Sequence, residues 1–236
     1  MYRRHYGRAA RVLREDFCGT FAVCCEWVKS RDDRIAIGVD IDSQPLQWGR
    51  TRNLAKLELD QQKRVVLLQN DVRNINGRKA DVVAAQNFSF WIFNTREALH
   101  GYFQSVYQNL TRQGVFVLDM MGGSETIEEN HTDVTKYAGF TYLWEQARFD
   151  PITHECSYYI HFRFDDGSEM HRAFEYHWRF WTLPEVNEVL REVGFNQVNV
   201  YWEDTDSDTE EGNGVYRQRK HAPSDPAWIC YVVAVK

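Results

Sequence analysis

The chain has 236 residues and a formal net charge of −6, and 43% of its residues are hydrophobic. This composition can build the core of one sizeable domain, and its acidic balance argues against nucleic acid as the main partner. No apolar run approaches the roughly 20 residues that span a bilayer, and the basic start lacks the apolar segment of a signal peptide. Five cysteines without a CxxC pair indicate neither a disulfide framework nor a zinc site. We therefore expect a cytoplasmic protein with no metal, no membrane partner and no nucleic-acid partner.

The first half of the chain alternates short apolar runs with longer amphipathic stretches. Such alternation predicts a parallel α/β sheet with right-handed crossovers. Ser43 is the expected cap of the second helix, and Pro45 suits its first turn. The predicted strands are 10–14, 35–39, 65–69, 81–86 and 115–120, and the predicted helices are 21–29, 43–59 and 95–110.

After Gly122 and Gly123 the pattern changes to a period of two over 140–149, 156–164 and 171–181, which predicts antiparallel strands. A helix follows from a cap at Thr182 to Val193, and two closing strands are predicted at 197–202 and 228–235. The acidic stretch 203–211, with the basic residues after it, predicts a solvated hairpin. The fold class is therefore α/β: one domain over 1–236, with a seven-stranded, mostly parallel sheet and an antiparallel β insertion over 124–181.

The loops at the carboxyl edge of such a sheet are the expected ligand site, where the strand order reverses. The first of these loops is Glu15-Asp16-Phe17-Cys18-Gly19-Thr20. Gly19 lets a ligand approach bare backbone, and the Glu15 carboxylate suits a ligand ammonium. Asp40 ends the second strand, where its carboxylate suits two ribose hydroxyls, although an ordinary helix-capping acid remains an alternative there.

With this loop the sequence resembles the class I, Rossmann-like, S-adenosylmethionine-dependent methyltransferases, in a variant whose first motif is EDFCGT. The family usually carries glycines two residues to either side of Gly19, and Phe17 and Phe21 stand at those positions here. The resemblance implies that Asp40 binds the ribose and that Asp71 faces the adenine amino group. The full set of cofactor-binding residues that it implies is Glu15, Phe17, Cys18, Gly19, Asp40, Ile41, Asp71, Val72, Gln86, Asn87 and Phe88.

The resemblance also implies in-line methyl transfer from S-adenosyl-L-methionine to a small-molecule acceptor, with the insertion on the substrate side. No catalytic residue is assigned, because alignment and a dry pocket supply much of the rate of such a transfer. Ordinary core packing remains the alternative for each aromatic residue of the insertion. The candidate acceptor residues are Trp91, Trp144, Arg148, Tyr158, Tyr176 and Trp178.

Two other functions stay open. A non-catalytic protein that binds S-adenosyl ligands would keep the fold without the chemistry. A nicotinamide-dependent oxidoreductase would need phosphate-binding glycines where Phe17 and Phe21 stand. Only about 14 residues precede Glu15, where relatives carry helices over the cofactor. Either Met1 is an internal start of a longer chain, or the insertion or a second subunit covers the site, which leaves a homo-oligomer open. If nothing covers the site, we expect weak cofactor affinity.

Overall fold

Residues 2–206 and 212–236 are described by the computed structural model, and they form twelve strands and six α-helices. The strands are β1 (Val12–Asp16), β2 (Ile35–Asp40), β3 (Val65–Gln69), β4 (Ala80–Ala85), β5 (Leu110–Gly122), β6 (His131–Tyr137), β7 (Phe140–Phe149), β8 (Glu155–Phe164), β9 (Glu169–Arg179), β10 (Gln197–Thr205), β11 (Gly212–Arg219) and β12 (Trp228–Val235). The helices are α1 (Tyr2–Tyr6), α2 (Ala22–Lys29), α3 (Ser43–Arg52), α4 (Leu59–Gln62), α5 (Arg96–Asn109) and α6 (Leu183–Val193).

The central sheet has the strand order β3-β2-β1-β4-β5-β12-β10-β11. Strands β1 to β5 pair in parallel, and β12, β10 and β11 join in antiparallel fashion. The α/β class and the mostly parallel sheet are confirmed, but the sheet has eight strands rather than the predicted seven.

The additional strand is β11, at the edge of the sheet. Its sequence is polar, so no apolar alternation marked it, and it is held by pairing with β10. The Glu203 carboxylate accepts hydrogen bonds from the Gly214 N–H, at 2.7 Å, and from the Tyr216 hydroxyl, at 3.2 Å. Asp204 pairs with the guanidinium groups of Arg217 and Arg219, which neutralises part of the charge in this hairpin. Residues 207–211 of the predicted acidic loop lie outside the described residues.

Two boundaries differ from the predictions in ways that affect the site. Strand β1 ends at Asp16 rather than at residue 14, so the acidic pair at 15 and 16 lies within the strand. The helix predicted over 43–59 stops at Arg52, because the Asn53 amide donates to the Thr20 carbonyl and Leu57 turns into the core beside α2. Its cap is Asp42 rather than Ser43: the Asp42 carboxylate accepts the Gln44 N–H at 2.8 Å.

The insertion forms a second, antiparallel sheet in the order β6-β7-β8-β9. Its first strand was missed, because β6 is exposed along almost its whole length and lacks an apolar face. The sheet packs against the segment that follows β4. The rings of Trp178 and Trp91 pack edge to face with their centroids 5.9 Å apart. The Trp181 indole N–H donates a hydrogen bond of 3.1 Å to the Phe93 carbonyl. The insertion therefore stands beside the carboxyl end of β4.

The basic start of the chain lies at the opposite edge of the sheet. Tyr2 is buried, its hydroxyl donates to Asp81 at the start of β4, and the Arg8 guanidinium pairs with the same carboxylate at 3.1 Å. This segment is thus anchored away from the loops at the carboxyl edge. None of the helices in the described part of the chain is both long and apolar enough to cross a membrane.

Candidate functional site

The strand order reverses between β1 and β4, since β2 and β3 continue on one side of β1 and β5 continues on the other side of β4. In open α/β sheets the connections at such a point leave to opposite faces and open a crevice at the carboxyl edge. The loops that follow β1, β2 and β4 border this crevice. They contain most of the residues that were predicted to bind a cofactor.

The turn after β1 has left-handed backbone at every second residue. The φ angles are 56° at Phe17, 51° at Gly19 and 48° at Phe21. Glycine adopts this conformation freely, whereas a residue with a side chain is strained by about 1–2 kcal/mol. The two phenylalanines therefore reproduce the backbone of a glycine-rich turn although they break its sequence pattern.

The rings of these phenylalanines offset the strain through packing. Phe21 is fully buried between α2 and α3, where Gly49 makes room: a Cβ on Gly49 would lie 2.5 Å from the ring. Phe17 meets the Tyr102 ring edge to face, with centroids 5.7 Å apart. Full burial of a phenylalanine side chain stabilises the fold by about 1.5–3 kcal/mol, which at Phe21 offsets the backbone cost; Phe17 is half-buried, so its packing offsets less.

Gly19 presents open backbone to the crevice. A Cβ at this position would meet no atom within 4 Å. The Gly19 N–H donates to Asp40 Oδ2 at 2.7 Å, and Asp40 Oδ1 accepts the Asp42 N–H at 2.9 Å. Asp40 thus joins the first loop to the second and keeps spare acceptor capacity on both oxygens. Beside it the Ile41 side chain is 71% exposed.

Glu15 and Cys18 lie behind this surface. Glu15 is buried, and its carboxylate accepts the Cys24 N–H in the first turn of α2 at 3.1 Å. Burial raises the pKa of Glu15 above its ordinary value. Burial likewise raises the pKa of the Cys18 thiol. In this structure Glu15 therefore anchors the start of α2, rather than standing in the loop as the sequence suggested.

The loop after β3 holds an ion pair. The Arg73 guanidinium donates to both oxygens of Asp71, at 2.6 Å for the shortest contact, and also lies over the Phe93 ring. Hydrogen bonding from Arg73 lowers the pKa of Asp71. Val72 is buried, so its side chain belongs to the core. The carboxylate predicted to face an adenine amino group is thus already paired, and a ligand would share it with Arg73.

The loop after β4 contains two consecutive left-handed residues, Asn87 with a φ of 59° and Phe88 with a φ of 55°. Their N–H groups donate to the two oxygens of Asp119 on β5, at 2.8 and 2.9 Å. Burial raises the pKa of Asp119. Gln86 precedes them, half-buried, and its carbonyl accepts the Ser89 hydroxyl. Asp119 was not predicted as a site residue, although an acid near the carboxyl end of a buried strand could have signalled it.

A buried charged network under the first loop was also missed. The Arg14 guanidinium donates two hydrogen bonds of 2.7 Å to Asp16, and the Tyr102 hydroxyl donates to Asp16 at 2.9 Å. All three side chains are almost completely buried. Arg14 and Asp16 are two residues apart and share one face of β1, but the strand predicted over 10–14 ended before Asp16. Because Phe17 rests on Tyr102, the network supports the turn from below.

The acceptor residues predicted from the sequence divide into three groups. Trp91, Tyr158 and Trp178 are buried, so they form the packed seam between the insertion and the segment after β4 and present no surface to a ligand. Arg148 is exposed and paired with Asp150 at 3.5 Å. The third group, Trp144 and Tyr176, is partly exposed on the inner face of the insertion.

A cavity of about 380 Å³ opens beside Trp144, between the insertion and the ends of β5, β10 and β12. No group of three or more potential metal ligands occurs within residues 2–206 and 212–236. The residues that line the cavity are Met121, Glu125, Thr126, Asp133, Trp144, Gln146, Glu203, Ala227, Trp228 and Ile229.

No family model and no curated protein sequence matches the chain, but solved structures match nearly all of it. An S-adenosylmethionine-dependent methyltransferase from Clostridium acetobutylicum is 17% identical, over 97% of this chain and 85% of its own, with a TM-score of 0.65. A sugar N-methyltransferase from Streptoalloteichus sp. is 18% identical, over 100% and 83%, with a TM-score of 0.64. An S-adenosylmethionine-bound amino pentose methyltransferase from Micromonospora echinaspora is 17% identical, over 99% and 86%, with a TM-score of 0.67. The chain therefore has the fold of these methyltransferases.

Proposed function

We propose that this protein is an S-adenosyl-L-methionine-dependent methyltransferase that acts on a small molecule by in-line methyl transfer. The observation that carries the proposal is the turn after β1. Left-handed backbone at Phe17, Gly19 and Phe21 reproduces a glycine-rich turn, and it lies at the strand-order reversal, where α/β proteins bind nucleoside ligands.

The residues at the crevice fit this cofactor. The open space beside Gly19 would receive the amino-acid portion of S-adenosylmethionine, which would lie against bare backbone. Asp40 keeps acceptor capacity for ribose hydroxyls, and the exposed Ile41 offers an apolar surface for the adenine ring. Asn87 and Phe88 would border the methyl-donor end, and Asp119 holds their backbone in place. The bound sulfonium would supply an electrophilic methyl group.

In this proposal the chain's own residues bind, orient and exclude water. We assign one methyltransferase domain to residues 1–236, with 124–181 on the acceptor side, because the insertion packs against the segment that follows the methyl-donor loop. Alignment of donor and acceptor lowers the barrier to a displacement reaction without a covalent intermediate. The sugar N-methyltransferase and the amino pentose methyltransferase with the same fold support a small acceptor.

Calorimetric titration with S-adenosylhomocysteine tests the cofactor assignment. We expect one site per chain, competition by S-adenosylmethionine, and no saturable binding of NADH. Gly19→Ala should abolish the binding, because its methyl group would project into the space reserved for the ligand. The matched control is Gly101→Ala on the exposed side of α5, where an added Cβ also meets nothing within 4 Å and which belongs to none of the loops that border the crevice. Binding of NADH in preference to S-adenosylhomocysteine would refute the proposal.

A further inference from the structure

The network of Arg14, Asp16 and Tyr102 places charges on a central strand of the sheet, where buried parallel strands are ordinarily apolar. The side chains of Arg14 and Asp16 are at most 1% exposed, and Arg14 Nη1 has no hydrogen-bond partner among the described residues. Burial of an ion pair costs free energy that the attraction between the charges often fails to recover, so apolar side chains of similar volume commonly give equal or greater stability. A gain in stability therefore does not account for the network, and we considered what it positions.

The network holds one aromatic ring in one place. Apolar packing is non-directional, whereas a hydrogen bond holds its donor at a set distance and angle. The Tyr102 hydroxyl on α5 donates to Asp16 Oδ2 at 2.9 Å, and the forked guanidinium of Arg14 donates to both oxygens of the same carboxylate. Because Arg14 and Asp16 share one face of β1, the Tyr102 ring is tied to the carboxyl end of this strand.

Tyr102 contacts two of the loops that border the crevice. Its ring centroid lies 5.7 Å from that of Phe17, in the turn after β1, and 4.9 Å from that of Phe93, at the end of the segment after β4. The rings of Phe17 and Phe93 also meet each other, with their centroids 6.2 Å apart. Strands β1 and β4 are the neighbours between which the strand order reverses. The three rings therefore form one support beneath both sides of the crevice.

Phe17 is the link between this support and the turn that would hold the cofactor. Its left-handed backbone, with a φ of 56°, would suit glycine without strain, so the ring is what a phenylalanine adds here. That ring is half-buried against Tyr102. Gly19, whose open backbone faces the crevice, lies two residues further along the same short turn. A displacement of the Phe17 ring would therefore be passed along the turn to Gly19.

We infer that Arg14, Asp16 and Tyr102 are positioning residues that set the spacing of the loops after β1 and β4, and that they act on cofactor binding through the ring of Phe17. A glycine turn needs no side-chain support, whereas the turn of this chain is held by the packing of Phe17 on Tyr102. The inference rests on the proposed function, because the ligand whose binding it concerns is the proposed cofactor.

A double-mutant cycle tests whether Tyr102 acts through Phe17. Tyr102→Phe removes only the hydroxyl, and we expect it to weaken S-adenosylhomocysteine binding in calorimetric titration by about two- to tenfold, the effect of one hydrogen bond. In a Phe17→Gly background the same substitution should change the affinity by less than about twofold, because the ring that transmits the effect is absent. Equal losses in the two backgrounds would overturn the inference.

Tyr158→Phe is the matched control for the loss of a buried tyrosine hydroxyl. The Tyr158 hydroxyl donates to the Thr126 carbonyl at 3.1 Å, and the side chain is as buried as that of Tyr102 but belongs to the insertion. This substitution should leave the affinity for S-adenosylhomocysteine unchanged. A loss equal to that of Tyr102→Phe would show a general effect of buried hydroxyl groups and would also overturn the inference.

Replacement of the whole network by apolar side chains separates positioning from stabilisation. The variant combines Arg14→Met, Asp16→Leu and Tyr102→Phe, because removal of one ion alone would leave the other buried and unpaired. We expect a melting temperature equal to or above that of the unmodified protein and an affinity for S-adenosylhomocysteine that is weaker by roughly tenfold. An affinity equal to that of the unmodified protein, at any melting temperature, would overturn the inference. Absence of S-adenosylhomocysteine binding in the unmodified protein would instead overturn the proposed function.

Discussion

Asp119→Asn is the most informative perturbation of the site. Asp119 lies on β5 and accepts the N–H groups of Asn87 and Phe88, one on each carboxylate oxygen. Asparagine has the same shape but only one acceptor oxygen. One of the two backbone N–H groups would therefore lose its partner and face an NH₂ group.

The expected change in the free energy of unfolding follows from two opposing contributions. A buried donor without a partner costs about 1–3 kcal/mol. Burial of the Asp119 charge is unfavourable, as its raised pKa indicates, so removal of the charge offsets part of this cost. We therefore expect a net loss in the lower half of that range, about 1–2 kcal/mol. In a chain of this size that lowers the melting temperature by about 2–8 °C.

The assay combines thermal melting with calorimetric titration of S-adenosylhomocysteine. Release of the strained loop should weaken that binding at least tenfold, since Asn87 and Phe88 would no longer be held at the crevice. Asp150→Asn is the matched control. Asp150 also accepts two backbone N–H groups, from Ile152 and Thr153, but both through Oδ1, an acceptor that asparagine can retain. The reasoning is refuted if Asp119→Asn melts and binds like the Asp150→Asn control.

Three further predictions concern the turn after β1. Gly19→Ala should lower the free energy of unfolding by only about 1–2 kcal/mol, the cost of a left-handed alanine, and S-adenosylhomocysteine binding should be lost. A loss of binding free energy no larger than the loss of folding stability would contradict an open ligand surface at Gly19. Phe21→Gly should lower the free energy of unfolding in urea more than Phe17→Gly does. Phe21 is fully buried, and loss of a buried phenylalanine costs about 3–5 kcal/mol against about 1–2 kcal/mol of relieved backbone strain. The reverse order would show that the strain dominates. Glu15→Gln tests the pKa of Glu15, which burial raises. The folded state binds the proton of the Glu15 carboxyl group more tightly than the unfolded state does. Protonated Glu15 therefore contributes stability below pH 4.5, and this contribution is lost as the pH rises through the raised pKa. The non-titrating variant should therefore gain in stability relative to the unmodified protein as the pH rises above 4.5, and parallel stability curves would contradict the shift.

The order of strands and helices could be predicted from the sequence because it depends on local periodicity. Buried parallel strands are continuous apolar runs, and hairpin strands alternate with a period of two. The same local reasoning located Gly19, Asp40 and the loop at Asn87 and Phe88, since each follows an apolar strand. It missed β6 and β11, whose residues are mostly exposed, because sheet pairing rather than an apolar face specifies them.

What only the tertiary structure decided is which side chains meet. Phe17 and Phe21 looked like a defect in a glycine motif, yet packing against Tyr102 and beside Gly49 supports glycine-type backbone at both positions. Asp119 is distant in sequence from the loop that it holds. Trp91 and Trp178 looked like a ligand surface and are core. Strand periodicity is encoded within a few neighbouring residues. Backbone strain, side-chain burial and the choice of hydrogen-bond partners depend instead on contacts between segments far apart in the chain.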